Sequence, residues 1–92
     1  MPYEQMSDET LLERIRRCDQ AALAALYDRY AAAAMTVATL VTGQRAAAEA
    51  VVEQLFWSVW RGEVAIDGRV RHHLMLGARQ LARGRVAFPL GG

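Results

Sequence analysis

Residues 42–62, TGQRAAAEAVVEQLFWSVWRG, decide the fold of this 92-residue chain. A helix with 3.6 residues per turn brings the apolar side chains of this stretch onto one side. The residues on its central line are Ala48, Val52, Leu55 and Val59, with Val51 and Phe56 beside them. Gly43 and Gly62 bound the stretch, and glycine readily takes the left-handed conformation that ends a helix. The pattern therefore predicts a helix over residues 44–61 with one buried face.

The same periodicity continues on both sides of this helix. Ser7 and Asp19 are placed to cap helices over residues 7–17 and 19–42, and a further helix is predicted over residues 69–83. The apolar stripe of the second helix consists of Leu23, Leu26, Tyr27, Tyr30, Ala34, Val37, Ala38 and Val41. The inward residues of the fourth are Val70, Leu74, Gly77, Ala78 and Leu81. No run alternates as a strand would. The sequence predicts an all-α, compact bundle of about four helices.

The domain limits follow from where this periodicity starts and stops. The helical domain is predicted over residues 7–85, after an N-terminal tail of residues 1–6 and before a loose C-terminal tail of residues 86–92. A loop of residues 62–68 is expected between the third and fourth helices. At this length one small core is all that can form.

Composition favours an ordinary water-soluble globular protein. Hydrophobic residues make up 53% of the chain and charged residues 23%. No apolar run approaches the roughly 20 residues of a membrane span, and the polar, acidic start is unlike a secretory signal, so a cytoplasmic protein with no membrane partner is expected. The single cysteine, Cys18, forms no internal disulfide.

Residue types suited to catalysis are sparse and poorly spaced. His72 and His73 are adjacent, so on a helix they point about 100° apart and cannot close on one metal ion. Neither a glycine-rich phosphate loop nor a nucleophile elbow is present. The sequence therefore predicts a protein that is not an enzyme and holds no cofactor and no metal.

Charge is distributed unevenly along the chain. Residues 1–60 hold five arginines and eight acids, whereas residues 61–92 hold six arginines and two acids, giving net charges of −3 and +4. On the fourth helix the outward line carries His72, Arg79 and Arg83, with Met75 and Leu76 beside it and Arg69, Arg71 and Arg85 near the ends. Such a stripe is able to follow a phosphate backbone. The alternative is a solvated, arginine-bearing helix face.

The third helix also has a notable outward side. Opposite its core line lie Ala50, Glu53 and Trp57, with Trp60 to one side. A large aromatic pointing away from the core is typical of a surface where a partner docks. The alternative is that Trp57 packs under the first helix or the tail, and Trp60 is expected at the edge of the core.

Three stretches together resemble a known family. They are SDETLLERIRRCDQAALAALYDRYAAAA (7–34), TGQRAAAEAVVEQLFWSVWR (42–61) and RVRHHLMLGARQLARGR (69–85). In this order they are similar to the second conserved region of extracytoplasmic-function (ECF) bacterial sigma factors, the transcription factors that direct RNA polymerase to promoters. The likeness covers residues 7–85.

The resemblance implies a function for each outward face. It implies that the third helix docks on the β′ clamp helices of core RNA polymerase through Glu49, Ala50, Glu53, Gln54 and Trp57. It further implies that the loop and fourth helix bind the non-template strand of the promoter minus-ten DNA. The residues assigned to DNA are Arg61, Arg69, Arg71, His72, Arg79, Gln80, Arg83 and Arg85. Unstacked bases in such a strand are held by aromatic and arginine surfaces.

The chain also departs from the family pattern. Ala50 replaces an aspartate usual in the docking surface, and Cys18 stands where a glycine is usual. In the fourth helix, His73, Gln80, Leu81 and Gly84 replace a tryptophan, an Asn-Arg pair and an aspartate. The 92 residues lack the family's C-terminal helix-turn-helix domain, either because the sequence is a piece of a longer chain or because the protein ends there.

These departures support an alternative function of a different class. In it, the domain is a diverged sigma-like interaction module that no longer recognises promoters. Its partner would be a second copy in a homodimer, an anti-sigma factor, or the polymerase bound as a decoy.

Overall fold

The computed structural model describes residues 2–63 and 68–85. Its elements are a short 3-10 helix (Tyr3–Gln5), α1 (Asp8–Arg16), α2 (Gln20–Thr42), α3 (Arg45–Trp60) and α4 (Val70–Arg83). No strand is present in the described residues. The prediction of an all-α bundle of four helices is confirmed, and the helix limits lie within one residue of those expected.

Local side-chain chemistry explains where the helices begin and end. The Ser7 hydroxyl accepts a hydrogen bond from the Thr10 amide at 3.1 Å, and the Asp19 carboxylate accepts one from the Ala22 amide at 3.2 Å. Both are N-caps that satisfy amides lacking a helical partner. Gly43, with a φ of 70°, ends α2 in the left-handed conformation and allows the sharp turn into α3.

The long helix α2 is the centre of the bundle, because α1, α3 and α4 all pack against it. The largest fully buried side chains are Leu11, Leu26, Leu55, Leu74 and Val51. All six residues predicted for the buried face of α3 are indeed buried. Helix α4 lies close to α3 at Gly77, where an added Cβ would come within 2.9 Å of the Leu55 Cδ1 atom.

Residues 1–6 were predicted to be an N-terminal tail before the helical domain, and the described residues 2–6 pack against that domain. Met6 is only 6% exposed and belongs to the core. The Tyr3 hydroxyl donates a hydrogen bond to Asp19 at 2.7 Å, and Arg29 donates to the backbone carbonyls of Tyr3 and Glu4 at 3.4 and 3.3 Å. The segment is held because its apolar and hydrogen-bonding groups find partners on α2, which local sequence patterns do not reveal.

Tyr27 is the other departure in the core prediction. It was assigned to the buried stripe of α2 but is 45% exposed. Its ring meets the Phe56 ring edge-on, with a centroid distance of 5.0 Å. The side chain therefore lies at the border of the α2–α3 contact. The apolar stripe of α2 is wider than the surface that α3 covers, so a residue at the edge of the stripe stays partly exposed.

Two parts of the sequence prediction lie outside the described residues. They are the C-terminal tail of residues 86–92 and residues 64–67 of the loop before α4. Within the described residues, no helix has both the length and the apolar character that a membrane crossing requires.

Candidate docking groove and basic helix face

An open groove of about 670 Å³ runs between α2 and α3. Its apolar lining comes from both helices and includes Leu23, Ala31, Met35, Val52 and Phe56. No residue of α4 lines it, so the groove lies on the side of the α2–α3 pair away from that helix. A concave apolar surface of this kind suits a protruding side chain or helix of a partner.

Two half-exposed aromatic residues line the groove. Trp57, on α3, is 49% exposed, and Tyr27 lies across from it on α2. Trp57 lines the groove and does not pack under α1, and the alternative of packing under the tail concerns residues 86–92, which lie outside the described residues. Trp60 packs at the edge of the core as expected. Aromatic residues left partly in water on a concave surface are typical of binding hot spots.

Three carboxylates give the groove a negative charge. Asp28 comes from α2, and Glu49 and Glu53 come from successive turns of α3. Glu49 lies 3.7 Å from the guanidinium of Arg45, but both side chains are exposed and such pairs contribute little. Asp28 and Glu53 form no ion pair with any described residue. The groove therefore presents negative charge beside apolar surface.

The structure divides the five residues assigned to polymerase binding. Glu49, Glu53 and Trp57 line the groove together, whereas Ala50 and Gln54 do not. Ala50 is half-buried. The side-chain oxygen Oε1 of Gln54 accepts a hydrogen bond from the guanidinium of Arg85 at 3.3 Å, so this side chain is turned towards the end of α4. Gln54 is about 100° around the helix from Glu53, which is why these two residues do not share the groove.

The outward side of α4 is basic with an apolar centre. His72, Leu76, Arg79 and Arg83 recur at the spacing that places residues on one face of a helix, and all four are exposed. Leu76 is 41% exposed, and Gln80 is exposed beside it. We call these five residues the α4 stripe. Within residues 2–63 and 68–85, no carboxylate forms an ion pair with Arg79 or Arg83, so the charge of the stripe is available to a partner.

The remaining residues assigned to DNA have different surroundings. Arg69, Arg71 and His72 line a shallow depression of about 580 Å³ at the start of α4, together with Asp8 and Met75. Arg61 makes a bidentate pair with Glu63, at 2.8 and 3.2 Å. This contact raises the pKa of Arg61 and lowers the pKa of Glu63. The charge of Arg61 is therefore partly compensated within the chain, and Arg61 lies apart from the stripe.

A polar cluster beside this depression ties α1 to α2. The Asp8 carboxylate pairs with the guanidinium of Arg29 at 2.7 Å and accepts a hydrogen bond from the Tyr30 hydroxyl. Burial, and then the hydrogen bond to Asp8, raise the pKa of Tyr30 to about 12. At the other end of α1, the hydrogen bond from Tyr3 lowers the pKa of Asp19. The contacts of Asp8 hold one side of the depression in place, and none of these contacts was visible in the sequence.

Sequence reasoning missed the α2 side of the groove. Ala24, Tyr27, Asp28, Ala31 and Met35 all line it, and they recur at intervals of three or four residues. This spacing marks a helix face, but the face overlaps the core stripe of the same helix. The overlap is why Tyr27 was assigned to the core and Asp28 was not singled out.

Within the described ranges, no three His, Cys, Asp or Glu side chains are close enough to hold a metal ion. The free thiol of Cys18 is exposed in the turn between α1 and α2.

Comparison with protein-family models, with curated proteins and with solved structures found no match.

Proposed function

We propose that the domain acts in transcription initiation, as the second region of an ECF sigma factor does. In this proposal α3 docks on the β′ clamp helices of core RNA polymerase, and α4 contacts the non-template strand of minus-ten promoter DNA. The observation that carries the proposal is that the family-like motifs supply two separate exposed surfaces on one helical bundle. One is a groove with acidic and aromatic residues, and the other is an arginine-bearing helix face.

The groove supports the polymerase part of the proposal. Trp57 and Tyr27 offer aromatic surface that a partner would remove from water, which is the main source of affinity at hot spots. Glu49 and Glu53 would attract and orient a basic partner helix. Ala50 supplies no charge where the family usually has an aspartate. We therefore expect the contact with polymerase to depend on Glu53 and Trp57 more than on Ala50.

The α4 stripe supports the DNA part of the proposal. Arg79 and Arg83 lie one helical turn apart on the same exposed face, so both guanidinium groups are able to contact the phosphates of one nucleic-acid strand. Contacts to phosphate position a strand but carry no sequence information. Since Gln80 and Leu81 replace the usual Asn-Arg pair, we expect DNA contact with weaker sequence preference than the family pattern implies.

Polymerase binding is tested by co-elution of the purified domain with bacterial core RNA polymerase on a sizing column. We expect the wild-type domain to co-elute, and the Glu53→Ala/Trp57→Ala variant to be lost from the polymerase peak, because it removes a rim charge and a hot-spot aromatic. The matched control is Glu13→Ala on α1, which should behave as wild type. A folded wild-type domain that never co-elutes would contradict this part of the proposal.

DNA binding is tested by fluorescence anisotropy with a single-stranded minus-ten oligonucleotide at several salt concentrations. We expect binding at low salt, with a logarithmic salt slope that falls in magnitude by about 1.4 in Arg79→Ala/Arg83→Ala, since each phosphate contact contributes about 0.7. Arg16→Ala/Arg17→Ala removes equal charge from the α1 end and serves as the control. If the two double variants reduced the slope equally, the stripe would not be the DNA surface.

A second candidate function is an interaction module that binds the polymerase as a decoy, or an anti-sigma factor, without recognising promoters. The half-exposed Trp57 and Tyr27 favour it, because a protein partner gains more than DNA from covering such a groove. The two assays separate the candidates. Co-elution with polymerase, combined with no oligonucleotide binding at low salt, is expected only for the second candidate.

A further inference from the structure

The groove and the α4 stripe are complementary in charge. The groove carries Asp28, Glu49 and Glu53, of which Asp28 and Glu53 lack an ion-pair partner among the described residues. The stripe carries Arg79 and Arg83, which likewise lack one in that part of the chain. Unpaired opposite charges on two exposed surfaces favour contact between copies of the chain, because each surface supplies what the other lacks.

The spacing of these charges also matches. Glu49 and Glu53 are separated by four residues on α3, and Arg79 and Arg83 are separated by four residues on α4. Side chains at this separation on a helix are about 6 Å apart. Two helices laid side by side can therefore bring both arginines opposite both glutamates at once.

Apolar surface is present at the corresponding place on each face. Leu76 is 41% exposed and lies one turn before Arg79 and Gln80 on the stripe. The groove offers Tyr27, Phe56 and Trp57 next to its carboxylates. The pattern of Leu76 followed by Arg79 and Arg83, at intervals of three and four residues, is that of a helix whose side chains anchor in a groove.

We propose that the protein self-associates head to tail, with the α4 stripe of one copy seated on the α2–α3 groove of the next. The stripe cannot reach the groove of its own chain, because no α4 residue lines that groove and the stripe faces away from the bundle. The contact joins two different surfaces, so an assembly of any length still has one free groove at one end and one free stripe at the other. Further copies can therefore add, and the assembly grows with concentration.

This contact stands on the charges, spacing and apolar surface of the two faces and does not require the proposed function. Its regulatory consequence does rest on that function. The groove and the stripe are the surfaces assigned above to polymerase and to DNA, so an interior copy of such an assembly has both covered and each end copy has one covered. Self-association would then hold the protein inactive until polymerase competes for the groove.

The contact is expected to be weak and sensitive to salt. One helix face against one groove buries less than the roughly 1,200 Å² of a standard stable interface, so association in the micromolar to millimolar range is expected. Much of the attraction comes from exposed charges, which salt screens beyond about 3 Å at 1 M ionic strength.

Sedimentation velocity of the purified chain tests the proposal directly. The average mass of the wild-type protein should rise with concentration at low salt and fall towards that of the monomer at high salt. The groove variant Glu49→Ala/Glu53→Ala and the stripe variant Arg79→Ala/Arg83→Ala should each lower the association constant at least about tenfold. The control variants Glu9→Ala/Glu13→Ala and Arg16→Ala/Arg17→Ala make the same charge changes on α1 and should associate as wild type.

Mixing the two impaired variants gives the decisive result. The groove variant retains a stripe and the stripe variant retains a groove, so together they can make one contact and no more. An equimolar mixture should form a dimer of one copy of each, whose mass stops rising with concentration. A mixture that remains monomeric while wild type associates would overturn the head-to-tail arrangement.

Two further outcomes separate this proposal from the proposed function. A wild-type chain that stays monomeric at low salt, yet co-elutes with polymerase, would overturn self-association and leave the function in place. A chain that associates as described but binds neither polymerase nor oligonucleotide, even when dilute, would support the contact and contradict the function.

Discussion

Cys18 has a backbone conformation that is unfavourable for a residue with a Cβ atom. Its φ is 63°, and it is the one residue other than glycine with a positive φ among those described. A left-handed conformation costs a residue with a Cβ atom roughly 1–2 kcal/mol, a cost that glycine avoids. The turn between α1 and α2 needs this conformation, because it reverses the chain within three residues.

We therefore predict that Cys18→Gly stabilises the domain. The free energy of unfolding should increase by about 0.5–1 kcal/mol, as relief of strain exceeds the greater flexibility that glycine gives the unfolded chain. Urea denaturation followed by circular dichroism measures the change. Cys18→Ala removes the thiol but keeps the Cβ atom, and it should show no such gain; equal stability of the two variants would contradict the strain argument.

Tyr30 gives the domain a specific dependence on alkaline pH. Its pKa of about 12 in the folded protein lies above the usual 10 for tyrosine, because burial and the bond to Asp8 favour the neutral phenol. A raised pKa in the folded state means that this stabilisation is complete below pH about 10 and is lost as the pH rises towards about 12.

Tyr30→Phe should remove this dependence. At neutral pH the variant should be less stable by about 1 kcal/mol, the usual value of one hydrogen bond. The difference from wild type should shrink as the pH is raised through about 10, since only the wild-type residue must stay protonated in the fold. Urea unfolding at a series of pH values measures this difference, and a gap that stayed constant with pH would be inconsistent with the prediction.

At the scale of the helices, the contact between α3 and α4 depends on Gly77. In the middle of a helix glycine is less favourable than alanine by about 1 kcal/mol, so its presence here has a packing reason. An added Cβ would come within 2.9 Å of the Leu55 Cδ1 atom, and Leu55 is buried and has little room to move.

The sign of the Gly77→Ala effect should depend on Leu55. In the wild-type background we predict a loss of about 1 kcal/mol in the free energy of unfolding, because crowding of the core outweighs the gain in helix propensity. In a Leu55→Ala background the crowding atom is gone, and Gly77→Ala should be stabilising by a similar amount. Chemical denaturation of the four proteins in this cycle provides the test, and the same sign in both backgrounds would refute it.

At the scale of the whole molecule, the N-terminal segment of residues 2–6 packs on the helical bundle. Met6 is buried in the main core cluster, the Tyr3 hydroxyl donates a hydrogen bond to Asp19, and Arg29 of α2 donates one to the Tyr3 carbonyl. We therefore expect the 3-10 helix to unfold together with the rest of the bundle.

We predict that Met6→Ala lowers the free energy of unfolding by about 2 kcal/mol. This value is at the lower end of the range for replacing a buried methionine by alanine, because Met6 lies at the edge of the core. Leu40→Ala is the control, since Leu40 is 81% exposed and should change stability by less than about 0.5 kcal/mol. Thermal or urea unfolding of both variants measures the contrast. A Met6 variant as stable as the Leu40 variant would show that the segment is not part of the cooperative unit.

Much of the fold was predictable because helices are specified locally. The caps at Ser7 and Asp19 and the stop at Gly43 act within one turn of chain, so the helix limits were correct to one residue. The buried face of α3 was also predicted in full. The outward position of Trp57 follows from the same periodicity, and the structure confirms it.

The candidate surfaces were predictable only in part, because each depends on two helices at once. Glu49, Glu53 and Trp57 were found on α3, but their partners Tyr27 and Asp28 come from α2. Gln54 was grouped with them, yet its side chain forms a hydrogen bond with Arg85, which follows the end of α4. Periodicity describes the faces of one helix and contains no information on which faces meet.

The sequence by itself determined the number of helices, their ends, their buried faces and the basic character of α4, since all of these depend on residues within a few turns of each other. Only the tertiary structure decided that α2 and α3 leave an acidic groove open, that residues 2–6 pack on the bundle, and that Asp8 joins Arg29 and Tyr30. The reason is that these contacts link residues 16 or more positions apart, and their energy arises only when the helices pack.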